Sequence, residues 1–302
     1  MAKVGLVTIT YNSEEVLIGF LESFIKQTYK DIILYVIDND SKDASLSILK
    51  KYNYSNIKII KNKKNIGVAS ANNQGIIEAL NDNCDKILFV NNDIEFNKEL
   101  VSKLVVFQHK YNCSLVSPKI MFHHTPNKIW YAGGSFQKHK GYLPIHRGIN
   151  SIDTGQFNIP VKVEYAPTCC LLINKDVFTD IGLMDEKYFV YFDDTDFLYR
   201  ILKKNKHHLY YSPNTTIYHK VGSLTKSLYK KENRVYRGDF FLKQMTRNHV
   251  YFLKKQNTLF SLFYIFWLFL KNNIKFIINR RIRKNIKTLL LINRAYFEGV
   301  RM

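Results

Sequence analysis

The first 93 residues alternate short apolar runs with segments whose apolar residues recur at helical spacing. The apolar runs have the length of strands and cover residues 4–9, 32–37, 57–60 and 87–90. The second run is apolar almost throughout, which is typical of a strand covered on both faces of a parallel sheet. Strand and helix in strict alternation therefore predict an α/β fold with a mostly parallel central sheet flanked by helices.

Polar side chains follow three of these runs where each run ends. They are Thr10, Tyr11 and Asn12 after the first run, Asp38 and Asn39 after the second, and Asn91, Asn92 and Asp93 after the fourth. Open α/β sheets bind ligands at the carboxyl ends of their strands, so we expect these side chains to share one crevice. Asn, Asp and Ser are also ordinary turn formers, but three successive strand ends favour a binding site. The chain has neither a dinucleotide-binding GxGxxG after its first strand nor a P-loop motif.

A second polar cluster holds three carboxylates within four residues, namely Asp193, Asp194 and Asp196. Acid is scarce in this chain, which carries 45 Lys and Arg against 25 Asp and Glu, a formal net charge of +20. The acids either cap a helix, with Asp193 or Asp194 as the N-cap, or include a general base held among like charges. His219, which follows another predicted strand, is either structural or a ligand for a metal or for phosphates.

The C-terminal part combines an apolar run at residues 259–270 with a basic stretch. The basic residues are Lys271, Lys275, Arg280, Arg281, Arg283, Lys284 and Lys287. The apolar run is too short to cross a bilayer. The combination is typical of a helix lying on anionic lipid, although a core helix with a solvated basic tail has the same pattern; we favour the membrane interpretation.

Three smaller features complete the prediction. Residues 137–157 hold few apolar side chains and predict a mobile loop beside the site. The four cysteines show no CxxC spacing, and the adjacent Cys169 and Cys170 lie in an apolar run, which predicts reduced, buried thiols in a cytoplasmic protein. The chain enters its first strand directly, so we expect no signal peptide.

The motifs, taken in order, resemble those of family 2 inverting glycosyltransferases with the GT-A fold, and most of all the rhamnosyltransferase branch. The resemblance covers residues 3–247. It consists of VTITYN at 7–12, VIDNDSKD at 36–43, NIGVASANNQG at 65–75, FVNND at 89–93, GG at 133–134, GLMDE at 182–186, the acidic cluster at 193–196 and Arg247-Asn248. In FVNND, Asn91 takes the place of the first acid of the family's DxD motif.

The resemblance implies a GT-A fold with a Rossmann-like sheet over residues 1–225. Residues 1–115 would bind the nucleotide sugar, residues 116–225 would bind the acceptor and carry catalysis, and residues 226–302 would form a helical, basic and aromatic extension that associates with the membrane. Asp194 is the implied catalytic base, with Asp193 and Asp196 in support, and Asp93 is the implied metal ligand, with His219 as a second candidate. The implied nucleotide-sugar site comprises Thr10, Tyr11, Asn12, Asp38, Asn39, Asn65, Gly67, Asn72, Asn91 and Asn92.

The implied activity is a transfer dependent on Mg²⁺ or Mn²⁺, with L-rhamnose from dTDP-rhamnose passing to a lipid-linked oligosaccharide. It would serve bacterial cell-surface polysaccharide synthesis on the cytoplasmic face of the plasma membrane. Another UDP- or dTDP-sugar is the alternative donor. A glycoside hydrolase would explain the acids but not the three polar strand ends. A non-catalytic lipid- or nucleic-acid-binding protein would explain the charge, but the sequence has no nucleic-acid motif, so we expect no nucleic-acid partner.

Overall fold

The computed structural model describes residues 1–52, 54–222, 228–231, 234–278 and 286–302. The strands are β1 (Val4–Thr10), β2 (Ile32–Asp38), β3 (Ile57–Lys61), β4 (Lys86–Val90), β5 (Ile94–Phe96), β6 (Leu115–Phe122), β7 (Thr125–Tyr131), β8 (Gly134–Gln137), β9 (Leu143–His146), β10 (Val161–Val163), β11 (Cys170–Asn174), β12 (Leu209–His219), β13 (Leu228–Lys231) and β14 (Arg234–Arg237). The helices are α1 (Glu14–Ile25), α2 (Ser45–Lys51), α3 (Val68–Asn81), α4 (Leu100–Tyr111), α5 (Lys175–Ile181), α6 (Asp193–Lys204), α7 (Asp239–Gln256), α8 (Leu259–Ile278) and α9 (Ile286–Arg301).

Ten strands form the central sheet, in the order β10-β12-β6-β11-β4-β1-β2-β3, with β5 on β12 and β7 on β6. Strands β1 to β4 are mutually parallel, as the alternation predicts. Strand β11 is antiparallel to both of its neighbours, and β10, β5 and β7 are antiparallel to their partners. The sheet is therefore mixed: beyond β4 only the pairing of β6 with β12 is parallel among the described strands, so the prediction of a mostly parallel sheet holds only for the first part of the chain. Beyond β4 strand and helix no longer alternate, so few helical crossovers impose parallel pairing.

Helices α1 and α3 bury their apolar faces against the parallel half of the sheet. The side chains of Phe20 and Leu21 in α1 are fully buried, as their helical spacing predicts. Helix α3 lies so close to β1 that a Cβ atom on Gly75 would stand only 2.3 Å from Cγ1 of Val7. This packing fixes the position of α3 relative to β1. The carboxyl end of β1 and the start of α3, where the polar residues lie, are thereby held in place.

Residues 137–157 include one strand of a β-hairpin, which the loop prediction did not contain, and form turns from residue 147 onward. Strands β8 and β9 pair as a hairpin, and Arg147 donates its backbone N–H to the carbonyl of Gly133 at 2.8 Å. The buried Lys119 ammonium lies 2.7 Å from the Asp153 carboxylate. Composition misled the prediction here, because the segment is ordered by backbone hydrogen bonds and by buried charge instead of by apolar residues.

The C-terminal extension begins with a β-hairpin, β13–β14, and continues with the helices α7, α8 and α9. The predicted boundary at 225/226 falls in residues 223–227, which lie outside the described residues, as do Arg280, Arg281, Arg283 and Lys284. Helix α7 packs on the rest of the chain, where its Lys255 ammonium lies 2.6 Å from the carboxylate of Asp185. No helix in the described part of the chain is both long and apolar enough to cross a membrane.

Candidate active site

The carboxyl ends of β1 and β2 meet, as the parallel register requires. Thr10 lies opposite Asp38, and Asn39 donates its backbone N–H to the Thr10 carbonyl at 2.8 Å. The Asn12 side chain accepts a hydrogen bond from the backbone N–H of Lys42 at 2.8 Å, so the loops after the two strands are tied together. Tyr11 is 46% exposed at the rim. The predicted convergence of these two strand ends is confirmed by this geometry.

A network of amides holds the loop before α3 against the same edge. Asn39 donates to the Gly67 carbonyl at 3.1 Å, and its Oδ1 accepts from Asn62 at 3.0 Å. Asn62 also exchanges two hydrogen bonds with Gln74. Asn65 accepts from the Gly67 backbone N–H at 2.9 Å. Asn39 and Asn65 thus use their amides within the protein, and Asn62 and Gln74 are partners that the sequence interpretation missed.

The backbone conformation and the close packing at position 67 favour glycine over any other residue. The φ of Gly67 is +87°, and a Cβ atom there would lie 2.5 Å from the carbonyl oxygen of Phe189. Asn72, one turn into α3, is buried with its Nδ2 3.7 Å from the Met184 sulfur. The neighbouring Asn73 bonds to both the backbone N–H and the carbonyl of Met184. The start of α3 therefore clamps the segment that leads to the acidic cluster.

A carboxylate and an imidazole lie side by side after β4. Oδ1 of Asp93 is 3.3 Å from Nε2 of His219, and both side chains are buried. Strand β5 pairs with β12 so that His219 lies opposite Ile94, which sets this contact. Asn91 is exposed, whereas Asn92 is buried with neither amide atom hydrogen-bonded. Nδ1 of His219 is also buried without a hydrogen-bond partner.

The donor set at Asp93 and His219 suits a divalent cation. Oxygen and imidazole nitrogen are ligands that Mg²⁺ or Mn²⁺ accepts, and Oδ1 of Asp93 and Nε2 of His219 face each other. Within the described residues, no three His, Cys, Asp or Glu side chains form a metal-binding group. A cation here would therefore take its remaining ligands from a bound anion or from water.

The acidic cluster forms the first turn of α6. The N-cap is Phe192, so the prediction that Asp193 or Asp194 caps the helix is wrong. Tyr191 and Phe192 both have left-handed backbones, with φ of 66° and 69°. Asn248 of α7 donates to the carbonyls of Val190 and Tyr191 at 2.8 Å each. Because two bulky residues with positive φ need such support, Asn248 positions the start of α6.

Asp196 is bound on both sides by cations. Its Oδ2 accepts from Nε of Arg200 at 2.9 Å, and its Oδ1 lies 2.7 Å from Nζ of Lys255. Arg200 also donates to the carbonyls of Ile181 and Leu183. Asp196 therefore joins α6 to α7 and to the segment before it, which suits a supporting role.

Asp194 is the most accessible of the three acids. It is half-buried, whereas Asp193 is 5% and Asp196 is 1% exposed. The Tyr165 hydroxyl donates to Oδ2 of Asp194 at 2.7 Å, and the Thr195 N–H donates to Oδ1 at 2.6 Å. Sequence spacing gave no signal for the Tyr165 contact, since the two residues are 29 positions apart.

Burial raises the pKa of both carboxyls at the helix start. The pKa of Asp193 rises to about 8, through desolvation and then through the charge of Asp194. The pKa of Asp194 is also raised by desolvation, and the hydrogen bonds from Tyr165 and Thr195 oppose that rise. Near neutral pH Asp193 is therefore mainly protonated, and the hydrogen bonds from Tyr165 and Thr195 favour the charged form of Asp194.

The charges of Asp93 and Asp194 both act on the thiol of Cys169. Burial raises the pKa of the Cys169 thiol, and the charges of Asp93 and of Asp194 both add to that rise. The Cys169 carbonyl also accepts from the backbone N–H of Asn91 at 2.9 Å. Asp93 and Asp194 thus both lie near enough to Cys169 for their charges to act on its thiol, which puts the candidate metal ligands and the candidate base in the same part of the protein.

The raised pKa of Asp193 predicts a pH-dependent stability. Between its ordinary value of 3.8 and about 8, the folded protein keeps a proton that the unfolded chain has released, so stability falls as pH rises through this range. Asp193→Asn removes this dependence. We expect its Tm to fall less than the wild-type Tm between pH 5 and pH 8.5, by about 3 °C, in a calorimetric comparison. Parallel pH profiles for the two proteins would contradict the shift.

Comparisons with known proteins agree with this geometry. The sequence profile described as "Glycosyl transferase family 2" matches residues 6–182. A low-salt glycan biosynthesis hexosyltransferase of Haloferax volcanii is 28% identical over 209 residues, covering 67% of this chain and 62% of that protein. A dTDP-rhamnosyl transferase of Shigella flexneri is 26% identical over 205 residues, covering 67% and 64%. The chain spans slightly less than two thirds of the length of these curated relatives.

A solved structure supports the fold. The mannosyltransferase of Pyrobaculum calidifontis in complex with GDP-mannose and Mn²⁺ superposes with a TM-score of 0.56 at 10% identity, covering 99% of this chain and 87% of that one. At this identity the likeness concerns the fold alone. The predicted GT-A-like α/β architecture is thereby confirmed, with a mixed sheet in place of a mostly parallel one.

Proposed function

Because the chain belongs to glycosyl transferase family 2, we propose that it is an inverting glycosyltransferase whose catalytic base is Asp194. The observation that carries this proposal is the presence of two unlike sites whose charges both act on Cys169. One is an accessible carboxylate at the start of α6, and the other is the buried Asp93–His219 pair. A nucleotide sugar placed between them would have its diphosphate beside the pair and its anomeric carbon toward Asp194.

Asp194 removes the proton from the acceptor hydroxyl as the oxygen attacks the anomeric carbon. The bond from that carbon to the diphosphate oxygen breaks in the same step, so the anomeric configuration inverts and the nucleoside diphosphate leaves. Tyr165 and Thr195 hold the carboxylate in one orientation. Asp193 stays protonated, which spares Asp194 a second adjacent charge.

A divalent cation, Mg²⁺ or Mn²⁺, would be held by Asp93 and His219, with the nucleotide diphosphate completing its ligands. When bound, the ion supplies positive charge against the leaving diphosphate. The Mn²⁺ in the P. calidifontis complex supports this assignment. Asn91 contributes no charge here, so the protein part of the site relies on Asp93.

The donor we propose is dTDP-rhamnose, with another UDP- or dTDP-sugar as the alternative. The likeness to the Shigella dTDP-rhamnosyl transferase supports rhamnose. The acceptor we propose is a lipid-linked saccharide of bacterial surface polysaccharide, reached from the cytoplasmic face of the plasma membrane. A relative that uses an acceptor on diphosphoundecaprenol, 34% identical over 73 residues, supports a lipid-linked acceptor.

Thermal-shift screening of the full chain against dTDP-, UDP- and GDP-sugars with Mn²⁺ tests the donor. We expect the preferred sugar nucleotide to raise Tm by several degrees, and only when the metal is present. Stabilisation by no sugar nucleotide would overturn the proposal. Release of sugar from an oligosaccharide into water, without any nucleotide, would instead indicate a glycoside hydrolase.

Tyr165→Phe should move the pH profile of turnover. The hydroxyl stabilises the charged form of Asp194, so its loss raises the pKa of Asp194 and shifts the acid limb of kcat to higher pH, by about one unit. The KM for the donor should not change. Tyr210→Phe on β12, whose ring packs on Tyr111 away from the acids, is the matched control and should leave the limb in place. An unmoved limb in Tyr165→Phe would exclude this role.

A further inference from the structure

Helix α8 exposes a large apolar stripe. One face packs into the protein, where Ser261 is fully buried and Tyr264 is 8% exposed. The opposite face carries exposed apolar side chains at helical spacing, namely Leu262, Phe263, Phe266, Trp267, Ile277 and Ile278. A helix that is apolar on both faces is found in a protein core or against lipid, and this one has only one face covered within the described residues.

The partner helix holds this stripe in place. Asn273 of α8 and Asn293 of α9 exchange two amide hydrogen bonds, and the Tyr296 hydroxyl of α9 donates to the Ile265 carbonyl. The stripe is therefore presented by a packed helix pair. Over its 20 residues, α8 is about 30 Å long, enough to lie along a membrane surface.

The charge around the stripe is almost entirely positive. Residues 257–302 contain nine Lys and Arg and a single acid, Glu298. Lys271 in the second half of α8 and Lys287 in the first turn of α9 are exposed. A two-fold dimer through this face would set positive charge against positive charge, whereas an anionic lipid surface complements it.

We propose that the exposed face of α8 docks on an anionic bilayer, with Phe263, Phe266 and Trp267 entering the interface and Lys271 and Lys287 contacting the headgroups. This surface deepens the proposed function by naming a membrane partner. The docking itself does not depend on the proposed function, whereas its link to a lipid-linked acceptor rests on it. The docking surface also belongs to the same packed unit as the catalytic carboxylate.

A continuous column of aromatic rings joins the two. Phe260 in the first turn of α8 contacts Tyr142 at 5.7 Å between ring centroids, and Tyr142 contacts Tyr199 at 5.1 Å. The column continues through Phe136 to Tyr165, whose hydroxyl bonds to Asp194. These ring contacts connect the first turn of α8 to Tyr165, the residue that positions Asp194.

Flotation of the full chain with vesicles tests the surface without any donor or turnover. The vesicles are phosphatidylcholine alone or phosphatidylcholine with about one third phosphatidylglycerol. We expect binding to the anionic vesicles only, weakened by salt, and reduced by about tenfold or more in Phe263→Ser/Phe266→Ser. Val106→Ser on α4, at a 65% exposed valine, is the matched control and should bind like the wild type.

A fluorescence measurement reports on the folded protein directly. The chain has two tryptophans, so Trp130→Phe leaves Trp267 as the only reporter. We expect its emission to shift to the blue with anionic vesicles. Absence of vesicle binding, or equal binding by Phe263→Ser/Phe266→Ser, would overturn the proposal. Self-association that the same substitutions abolish, without vesicle binding, would assign the face to a second copy instead. Neither measurement needs sugar transfer. The docking proposal can therefore fail while the transferase proposal stands, and the transferase proposal can fail while docking is observed.

Discussion

Asp194→Asn is expected to lower the turnover of sugar transfer by about a thousandfold or more, with the fold unchanged. The asparagine keeps the shape of the side chain: its Oδ1 can still accept from the Thr195 N–H, and its Nδ2 can donate to the Tyr165 hydroxyl oxygen. It cannot take the proton of the acceptor hydroxyl. Since Asp194 is half-buried at the helix start, the substitution removes a charge that folding does not need. Turnover is measured as nucleoside diphosphate released in the presence of acceptor.

Two comparisons separate loss of chemistry from loss of structure. Asp176→Asn, in the first turn of α5, is a matched change at an exposed acid and should keep full activity. Donor binding by Asp194→Asn, followed by thermal shift, should equal that of the wild type. Asp193→Asn should also remain active, because Asp193 is already neutral near pH 7. Full transfer by Asp194→Asn, or loss confined to Asp193→Asn, would move the base away from Asp194.

The sequence predicts the parallel half of the fold well because that half is built from local patterns. Each strand from β1 to β4 is a short apolar run, and each connection from β1 to β4 contains a helix with its own periodicity. Beyond α4 the pairings depend on distant segments. Strand β11 inserts between β4 and β6, more than 50 residues away in the chain, and no local pattern specifies that position.

The site divides in the same way. Thr10, Asp38 and Asp93 could be placed together because parallel strands end at one edge of a sheet. The contact between Tyr165 and Asp194, and that between Asn248 and Val190, join residues 29 and 58 positions apart. Asn248 stood within the quoted pair Arg247-Asn248, but a motif gives no direction to a side chain, and Tyr165 stood in none of the quoted motifs. The geometry of tertiary packing was needed to assign them to the acidic cluster.

Asp93→Asn should remove metal-dependent binding of the nucleotide and lower turnover by on the order of a hundredfold. Among the candidate ligands, Asp93 alone carries a charge, since Asn91 is neutral and His219 binds as a neutral imidazole. The change is isosteric, so the strand end should keep its shape. Stabilisation of the protein by UDP or dTDP is measured by thermal shift with and without Mn²⁺. The wild type should gain from the metal, and the variant should not.

Asn91→Asp is the complementary substitution, which should strengthen metal binding. Its side chain is exposed beside the buried Asp93, so a second carboxylate can be added without burying charge. If a cation binds at Asp93 and His219, this variant should reach half-maximal stabilisation at a lower Mn²⁺ concentration than the wild type, because two carboxylates hold a divalent ion more strongly than one. His219→Ala should shift that concentration upward, since it removes the nitrogen ligand. Equal Mn²⁺ responses in Asp93→Asn, Asn91→Asp and His219→Ala would place the cation elsewhere. Opposite shifts in Asn91→Asp and His219→Ala would locate it between β4 and the end of β12.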